Sequence, residues 1–295
     1  MSAERQMLDA RAVSVMVLLC LIWGVGHVAA KVAGQGISMV FQAGARSLIA
    51  AILLFAWVRF KGIPLWERDR TLWPGIFAGL LFAGEFVFIF AGLAFTDAAR
   101  MVVFVYIAPC VTAFGLHFLI PQERLNARQW TGVLVSFAGV AVAFGDGIIS
   151  GRGTLLGDFF GVLGAVLWAS TTLLIRASRL SEASADKTLF YQLVVSAPVL
   201  FATAWLLGEP GVIMLTPLVL ATFAYQCIVV TFASFLTWFW LLRHYLASRL
   251  SVFSFLTPLF GVMAGVLLLG EPLTLSFAAA AVLVGAGIYL VNLKN

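Results

Sequence analysis

Charge is what this sequence has least of. Of 295 residues, 11% are Asp, Glu, Lys or Arg and 62% are hydrophobic. Soluble domains carry about 25% charged and about 45–50% apolar residues. So few ionisable groups cannot cover a water-soluble fold of this length, and the mean hydropathy of +1.06 agrees. Cysteine is nearly absent. Cys20, Cys110 and Cys227 lie singly in apolar runs with no CxxC spacing, which excludes a disulfide scaffold and leaves them as small packing residues. His27, His117 and His244 are too scattered for a metal site, and none is expected. No Walker A sequence or nucleophile elbow occurs, so neither ATP-driven work nor a soluble catalytic domain is expected. No cofactor is expected either. Gly24-x-Gly26-x-x-Ala29 mimics a dinucleotide fingerprint, but it lies inside an apolar run with no strand before it.

What is present is a series of apolar runs about 20 residues long. Barrel strands would alternate apolar and polar residues over about 10 positions. Backbone amides in lipid must bond within their own segment, so each run becomes a helix. Ten spans result: Ala12–Ala33, Ser38–Val58, Leu72–Leu93, Ala99–Leu119, Gln129–Gly145, Gly157–Ile175, Lys187–Leu207, Pro217–Leu241, Ala247–Leu269 and Leu275–Asn292. The longest connection, Arg59–Thr71, carries Gly62, Pro64 and alternating charges, as a solvated turn does. The fold class is an all-α integral membrane protein with ten transmembrane helices.

The net charge of +5 need not mean nucleic acid. With the N-terminus inside, fourteen Lys and Arg fall in segments on that side. Only Arg100 and Arg152 fall on the other, while Lys31 and Arg46 lie within spans. This is the positive-inside pattern. It predicts both termini in the cytoplasm and a missed helix would scramble it. Lipid, not nucleic acid, is the expected partner. The polar start, Met1 to Arg11, precedes a run long enough to stay in the bilayer, so no cleaved signal is expected.

The second half repeats the first at an offset near 148. The stretch from Ala98 to Pro109 lines up with that from Ala247 to Pro258. Glu123 and Leu125 match Glu271 and Leu273, Gly139 matches Gly287, and Trp23 with Lys31 matches Trp168 with Arg176. Each unit has five helices, an odd number, so the second copy enters the membrane inverted. This is the inverted-topology repeat of many secondary transporters. The units are expected at 1–147 and 148–295. Two AR/SR-x8-P stretches, each followed by a glutamate and a Gly-rich helix, resemble tandem EamA domains. The whole chain is similar to the ten-helix drug/metabolite transporter superfamily, above all to bacterial inner-membrane exporters of amino acids, aromatic ones included. The resemblance implies a basket of helices around a central cavity, moving metabolites outward. The second half departs from the pattern in Ser248, which replaces the Ala99 type, and in one residue fewer between Pro258 and Glu271.

Ionisable groups at membrane depth are costly and face a cavity or a partner. Glu85 lies eight residues from the outer end of span three, about 12 Å deep at 1.5 Å per residue. Arg46 on span two and His27 on span one lie at similar depth. Glu85 and Arg46 either pair or meet a substrate's ammonium and carboxylate. Under the repeat, Glu85 corresponds to Ser234, His27 to Thr172 and Arg46 to Ser196, with Gln42 and Gln192 as anchor. The candidate substrate-binding set is His27, Gln42, Arg46, Glu85, Phe86, Tyr106, Trp168, Thr172, Tyr191, Gln226, Ser234 and Phe253. Either Trp168 and His27 line the cavity, or Trp23 and Trp168 pack between helices. Pro109 and Pro258, at matching mid-helix positions, are candidate hinges or static bends. Gly75-x3-Gly79, Gly157-x3-Gly161 and Gly261-x3-Gly265 allow close helix contacts. The expected function is a secondary transporter, not an enzyme, exporting small amphipathic metabolites such as amino acids with aromatic or apolar side chains. Alternatives are an exporter of drugs or other metabolites, a channel, and an intramembrane enzyme. Proton coupling and oligomeric state stay open; a monomer is one reading.

Overall fold

The computed structural model describes residues 6–67, 69–96, 98–150, 154–269 and 275–293. Ten helices among them are long and apolar enough to cross a membrane: Ala10–Ala33, Met39–Lys61, Leu72–Leu93, Arg100–Leu119, Ala127–Gly145, Leu155–Ala177, Ala185–Leu206, Pro217–His244, Ala247–Leu268 and Leu275–Asn292. They are the ten expected spans with ends moved by a few residues, and local chemistry sets those ends. Span one starts behind Asp9, whose Oδ1 accepts the Ala12 N–H at 2.7 Å. Span six starts behind Thr154, whose hydroxyl accepts the Gly157 N–H at 3.2 Å. Span two stops at Gly62, where φ of 67° takes the left-handed form that glycine adopts without strain. Large apolar side chains such as Leu155, Trp205 and Leu275 stand on the outside. A soluble protein would bury them, and lipid accepts them.

The packing has two-fold character. Span five lies along span ten, and span two along span seven. Span three packs on six and seven, span eight on one and two. Span four crosses six, and span nine crosses one. Exchanging every span for the one five places away returns the same set. Residues obey the same exchange: Gly132 backs onto Gly287, and Gly139 onto Ala280. An offset of 148 turns the first contact into the second. The duplicated halves are therefore inverted relative to one another about an axis between spans five and ten. Spans one and nine approach so closely that a Cβ on Gly24 would lie 2.7 Å from the Gly261 nitrogen.

Three spans are irregular. Span four is a helix at Ala98–Val105 that resumes at Ala108–Leu119, and span nine is Ala247–Phe253 followed by Leu256–Leu269. At the breaks the backbone tightens, with Ile107 N–H to Phe104 O at 3.2 Å and Phe255 N–H to Val252 O at 3.3 Å. Pro109 and Pro258 were expected in mid-helix. Each instead falls in the first turn of the resumed helix, just past the break. There its missing N–H leaves the carbonyl four residues earlier, on Val105 or Ser254, without the usual donor. Span eight carries a π-helical stretch, Gln226–Ser234, between Pro217–Tyr225 and Phe235–His244. The apolar pattern gave no warning of it.

Most charged groups sit at the two faces. On the face where span one begins and span ten ends, the terminal face, Lys187 Nζ meets Asp69 Oδ2 at 2.7 Å and Glu67 Oε2 at 3.9 Å. On the opposite face, Arg100 grips Asp158 with two bonds of 2.6 Å, and Glu209 accepts the N–H groups of Val40 at 3.1 Å and Phe41 at 2.8 Å. Each repeat's loop thus pins the start of the other repeat's second helix: Asp69 holds span seven and Glu209 holds span two. Arg5, Arg68, Arg152 and Lys294, used in the orientation argument, lie outside the described residues, as do Glu271 and Leu273.

Burial pushes the Asp69 carboxyl up, but hydrogen bonds from Lys187 and Thr71 outweigh it and hold the group at about 2. A depressed folded-state value gives stability that is present above the unfolded value, 3.8, and is lost as pH falls through the folded one. Thermal unfolding of wild type and Asp69→Asn in detergent should therefore differ at pH 5–7 and converge as pH drops from about 4 towards 2. A constant difference across that window would show that the carboxylate's charge is not what matters.

Candidate functional site

Span one presents Leu18 and Leu21 to the outside, and both are exposed. His27 lies nine residues beyond Leu18, half a turn away around the helix at 100° per residue. It faces inward, with Nδ1 against Gly261 of span nine, yet its side chain is exposed. This inward-facing group with open surface marks the candidate pocket. His27 lies within electrostatic reach of Arg46 on span two. Arg46 in turn reaches Cys227 on the π-helical stretch of span eight and Glu85 on span three.

Arg46 and Glu85 do not pair. Neither has a carboxylate–guanidinium contact within 4.0 Å or a hydrogen bond among the described residues. The guanidinium carbon sits 4.5 Å from the ring centre of Phe86, a cation–π contact that compensates part of its lost hydration. Arg46 Nε is buried without a partner. Glu85 is only 9% exposed. Two groups of opposite sign, Glu85 buried and Arg46 partly so, both left unbonded among the described residues, keep their hydrogen-bonding capacity for something that enters between them.

Aromatic rings frame the charges. Phe86 stands between Phe82 at 5.1 Å and Phe90 at 6.1 Å. Phe82 meets Phe235 edge-on at 5.9 Å, and Phe235 meets Trp23 at 6.5 Å. Trp23 is fixed by its indole N–H, which donates to Ser234 Oγ at 2.8 Å, and that hydroxyl donates onward to Val230 O. On another side Tyr106, at the break of span four, packs edge-on against Trp168 at 5.7 Å and lies within electrostatic reach of Glu85. The Trp168 indole N–H has no hydrogen-bond acceptor among the described residues.

Of the sequence candidates, His27, Arg46, Glu85 and Phe86 gather in one place, with Tyr106 and Trp168 beside them. Gln226 is 1% exposed, and both ends of its amide lack partners. Thr172 is buried at 4%. Gln42 is turned back to the Ile37 carbonyl at 3.5 Å, and Ser234 is occupied by Trp23. Two candidates lie elsewhere. Tyr191 bonds to Thr71 at 3.2 Å, with its ring where a Cβ on Gly75 would fall. That is ten residues along span three from Glu85, about 15 Å, so Tyr191 joins helices at the terminal face. Phe253 is buried in an apolar cluster with Met16, Leu19 and Leu250, and its carbonyl takes the Cys20 thiol at 3.2 Å. Sequence reasoning missed the Phe82–Phe90 row as a wall and Cys227 as a neighbour of Arg46. The i, i+4, i+8 spacing of Phe82, Phe86 and Phe90 around Glu85 was the signal available.

The EamA-like transporter family matches residues 10–145 and again 155–293. The chain belongs to this family. Curated relatives include a "Probable amino-acid metabolite efflux pump" of Salmonella typhimurium, 26% identical over 281 residues and 92% of each chain. A protein of the same name in Escherichia coli is 26% identical over 282 residues, again 92% of each. An "Uncharacterized transporter" of Archaeoglobus fulgidus is 24% identical over 283 residues, 95% of this chain and 96% of that one. A solved structure of 21% identical sequence superposes with a TM-score of 0.80 over 97% of this chain and 99% of the other, which shows the fold. This EamA-family chain is thus a multi-pass membrane transporter.

Ser234→Ala leaves the buried Trp23 N–H without its acceptor. It should lower stability by roughly 1–3 kcal/mol, read as thermal unfolding in detergent, while Trp23→Phe with Ser234→Ala should recover part of the loss. Equal stability of wild type and Ser234→Ala would show that water replaces the hydroxyl.

Proposed function

We propose that this protein is a secondary exporter of amino acids, those with aromatic or other apolar side chains favoured, and that its substrate binds between Arg46 and Glu85. The unpaired state of these two groups carries the reading. An α-amino acid has a carboxylate for the guanidinium, an ammonium for the carboxylate and a side chain for the rings. Entry of such a zwitterion bonds both buried charges at once. An amine or a simple carboxylic acid satisfies only one and leaves the other desolvated, which costs several kcal/mol. The names of the Salmonella typhimurium and Escherichia coli relatives agree with this substrate class.

The inverted halves support alternating access, in which each half takes the other's conformation in turn. The distribution of basic residues supports a cytoplasmic terminal face, in a bacterial inner membrane. We place the repeat boundary at 147/148. No enzymatic step is assigned, because the charged groups of the pocket await a ligand rather than form an acid–base or nucleophile pair.

Purified protein in vesicles should show saturable counterflow of labelled phenylalanine or leucine. Glu85→Gln should lower it at least about tenfold, the loss of one charge-assisted contact, and so should Arg46→Gln. Fold integrity would be checked by thermal unfolding. Unsaturable flux would make the protein a channel. Full counterflow in both variants would remove the two charges from substrate recognition, and counterflow of amines alone would replace the amino-acid reading with a drug-exporter one.

A further inference from the structure

The terminal face holds a buried charged knot that joins the two repeats. Glu123 lies in the turn after span four and is 1% exposed. Its carboxylate accepts the N–H groups of Ala247 and Ser248, both at 3.0 Å, and the Ser248 hydroxyl at 2.7 Å. It also pairs with Arg176 of span six, whose side chain is 2% exposed. Arg176 reaches the Leu242 carbonyl at 3.4 Å, near the end of span eight. One side chain of the first repeat thus binds two segments of the second directly and a third, the end of span eight, through Arg176.

The segment it grips is the half-helix Ala247–Phe253, buried at all seven positions and ending at the break in span nine. The connection leading into this half-helix is held from its other side as well. Gln6 N–H donates to His244 O at 2.9 Å, Leu246 N–H to Gln6 O at 3.3 Å, and Tyr245 hydroxyl to Asp9 Oδ2 at 3.2 Å. Arg176 and Trp168 lie eight residues apart on span six, so the knot sits about 12 Å from the pocket along that helix. At this face Gln6, Asp9 and Glu123 together hold the connection and the half-helix, while His27 keeps open surface on the inner side of span one.

The chemistry suits a joint that is made and broken. Opening an apolar core to water costs free energy in proportion to the area exposed. A carboxylate, a guanidinium and two amide N–H groups are fully hydrated when parted. A buried ion pair and its solvated members can therefore be close in free energy. Two states of nearly equal free energy are what a carrier needs.

We propose that Glu123 is the latch that keeps the terminal face closed. Its release from Ala247, Ser248 and Arg176 lets the Ala247–Phe253 half-helix swing on the break at Ser254 and Phe255, and opens the pocket to that side. The latch rests on the alternating-access reading, so wild-type counterflow tests that reading first. Hydrogen exchange on the full-length protein in lipid nanodiscs then tests the latch. Glu123→Gln keeps the shape but removes the charge and replaces one acceptor oxygen by an NH2, which faces backbone N–H groups and a guanidinium that can only donate. Exchange should quicken about tenfold at 245–253, at 108–119 and at 170–177, and slow at 34–41 on the opposite face. Ser248→Ala removes one of the four contacts and should shift the same segments about threefold. Faster exchange confined to Ala247 and Ser248, with 108–119 and 34–41 unchanged, makes Glu123 a fixed helix cap and overturns the latch. If Glu123→Gln does not fold, an Ser248→Ala pattern without change at 34–41 overturns it equally. A wild type without counterflow fails the transport reading and not the geometry of the knot.

Discussion

A charge removed from water and set among apolar helices needs a partner, and the structure is organised by how each charge finds one. Lys187 meets Asp69, Arg100 meets Asp158, and Arg176 meets Glu123. Carboxylates without a cation take backbone N–H groups at helix starts, as Glu209 does on span two. All of these lie near a face, where loops from one repeat reach elements of the other. Between the faces the interior is built mostly of glycine, alanine and apolar side chains, with single amides and hydroxyls such as Gln226 and Thr172 among them, because the helices' own hydrogen bonds satisfy their backbones. Among the described residues Arg46 and Glu85 stand within electrostatic reach of each other with neither an ion pair nor a hydrogen bond.

Much of this was legible in the sequence, since lipid makes a short list of demands. A run of about 20 apolar residues must be helical, so the spans could be counted. Five helices per copy forces an inverted second copy, and the contacts of Gly132 with Gly287 and of Gly139 with Ala280 bear that out at residue level. Position along each span could also be read, because rise per residue is fixed, and His27 and Glu85 each lie within electrostatic reach of Arg46. Direction and partner could not be read. Hydropathy is equal for a tyrosine that lines a pocket and one that seals two helices, so the sequence did not show that Tyr191 bonds to Thr71 near the terminal face. The π-helical turn of span eight has no composition of its own, and it decides that Cys227 and Ser234 face inward. Glu123 was visible only as one half of a repeat match with Glu271. Its role needs the Ala247–Phe253 half-helix to arrive from 124 residues away.

The irregular backbone is concentrated where the helices cross the middle of the bundle. Spans four and nine break at symmetry-related positions, and span eight widens opposite span two. A regular helix buries all its backbone groups and bends little. A broken one has two rigid halves and a joint. In this protein the joint in span four places Tyr106 beside Trp168, and the joint in span nine follows the segment that Glu123 holds. Polar side chains and helix breaks thus occur together, and a regular ten-helix bundle with the same side chains would have neither this arrangement of rings nor the breaks.

A two-fold frame poses a problem for recognition. Residues related by the axis present the same chemistry from both sides, which suits a symmetric ligand or none. An amino acid has two unlike ends, a cation and an anion. A symmetric pocket would offer each end two equal places, and half of the bound orientations would be wrong. On the proposed reading the protein resolves this by keeping symmetry in the backbone and breaking it in the side chains. Arg46 corresponds to Ser196, Glu85 to Ser234 and His27 to Thr172. The first repeat supplies both charges, while in the second Ser234 fixes Trp23 rather than meeting a ligand. The shared frame lets the halves exchange conformations, and the unshared side chains fix the orientation of what is carried. Were fold maintenance the only demand, a charge at either member of such a pair would only add a desolvation cost, and small hydroxyls in both halves would serve. That the costly residue sits in one half only, three times over and at one depth, is what a directional ligand requires of a symmetric carrier.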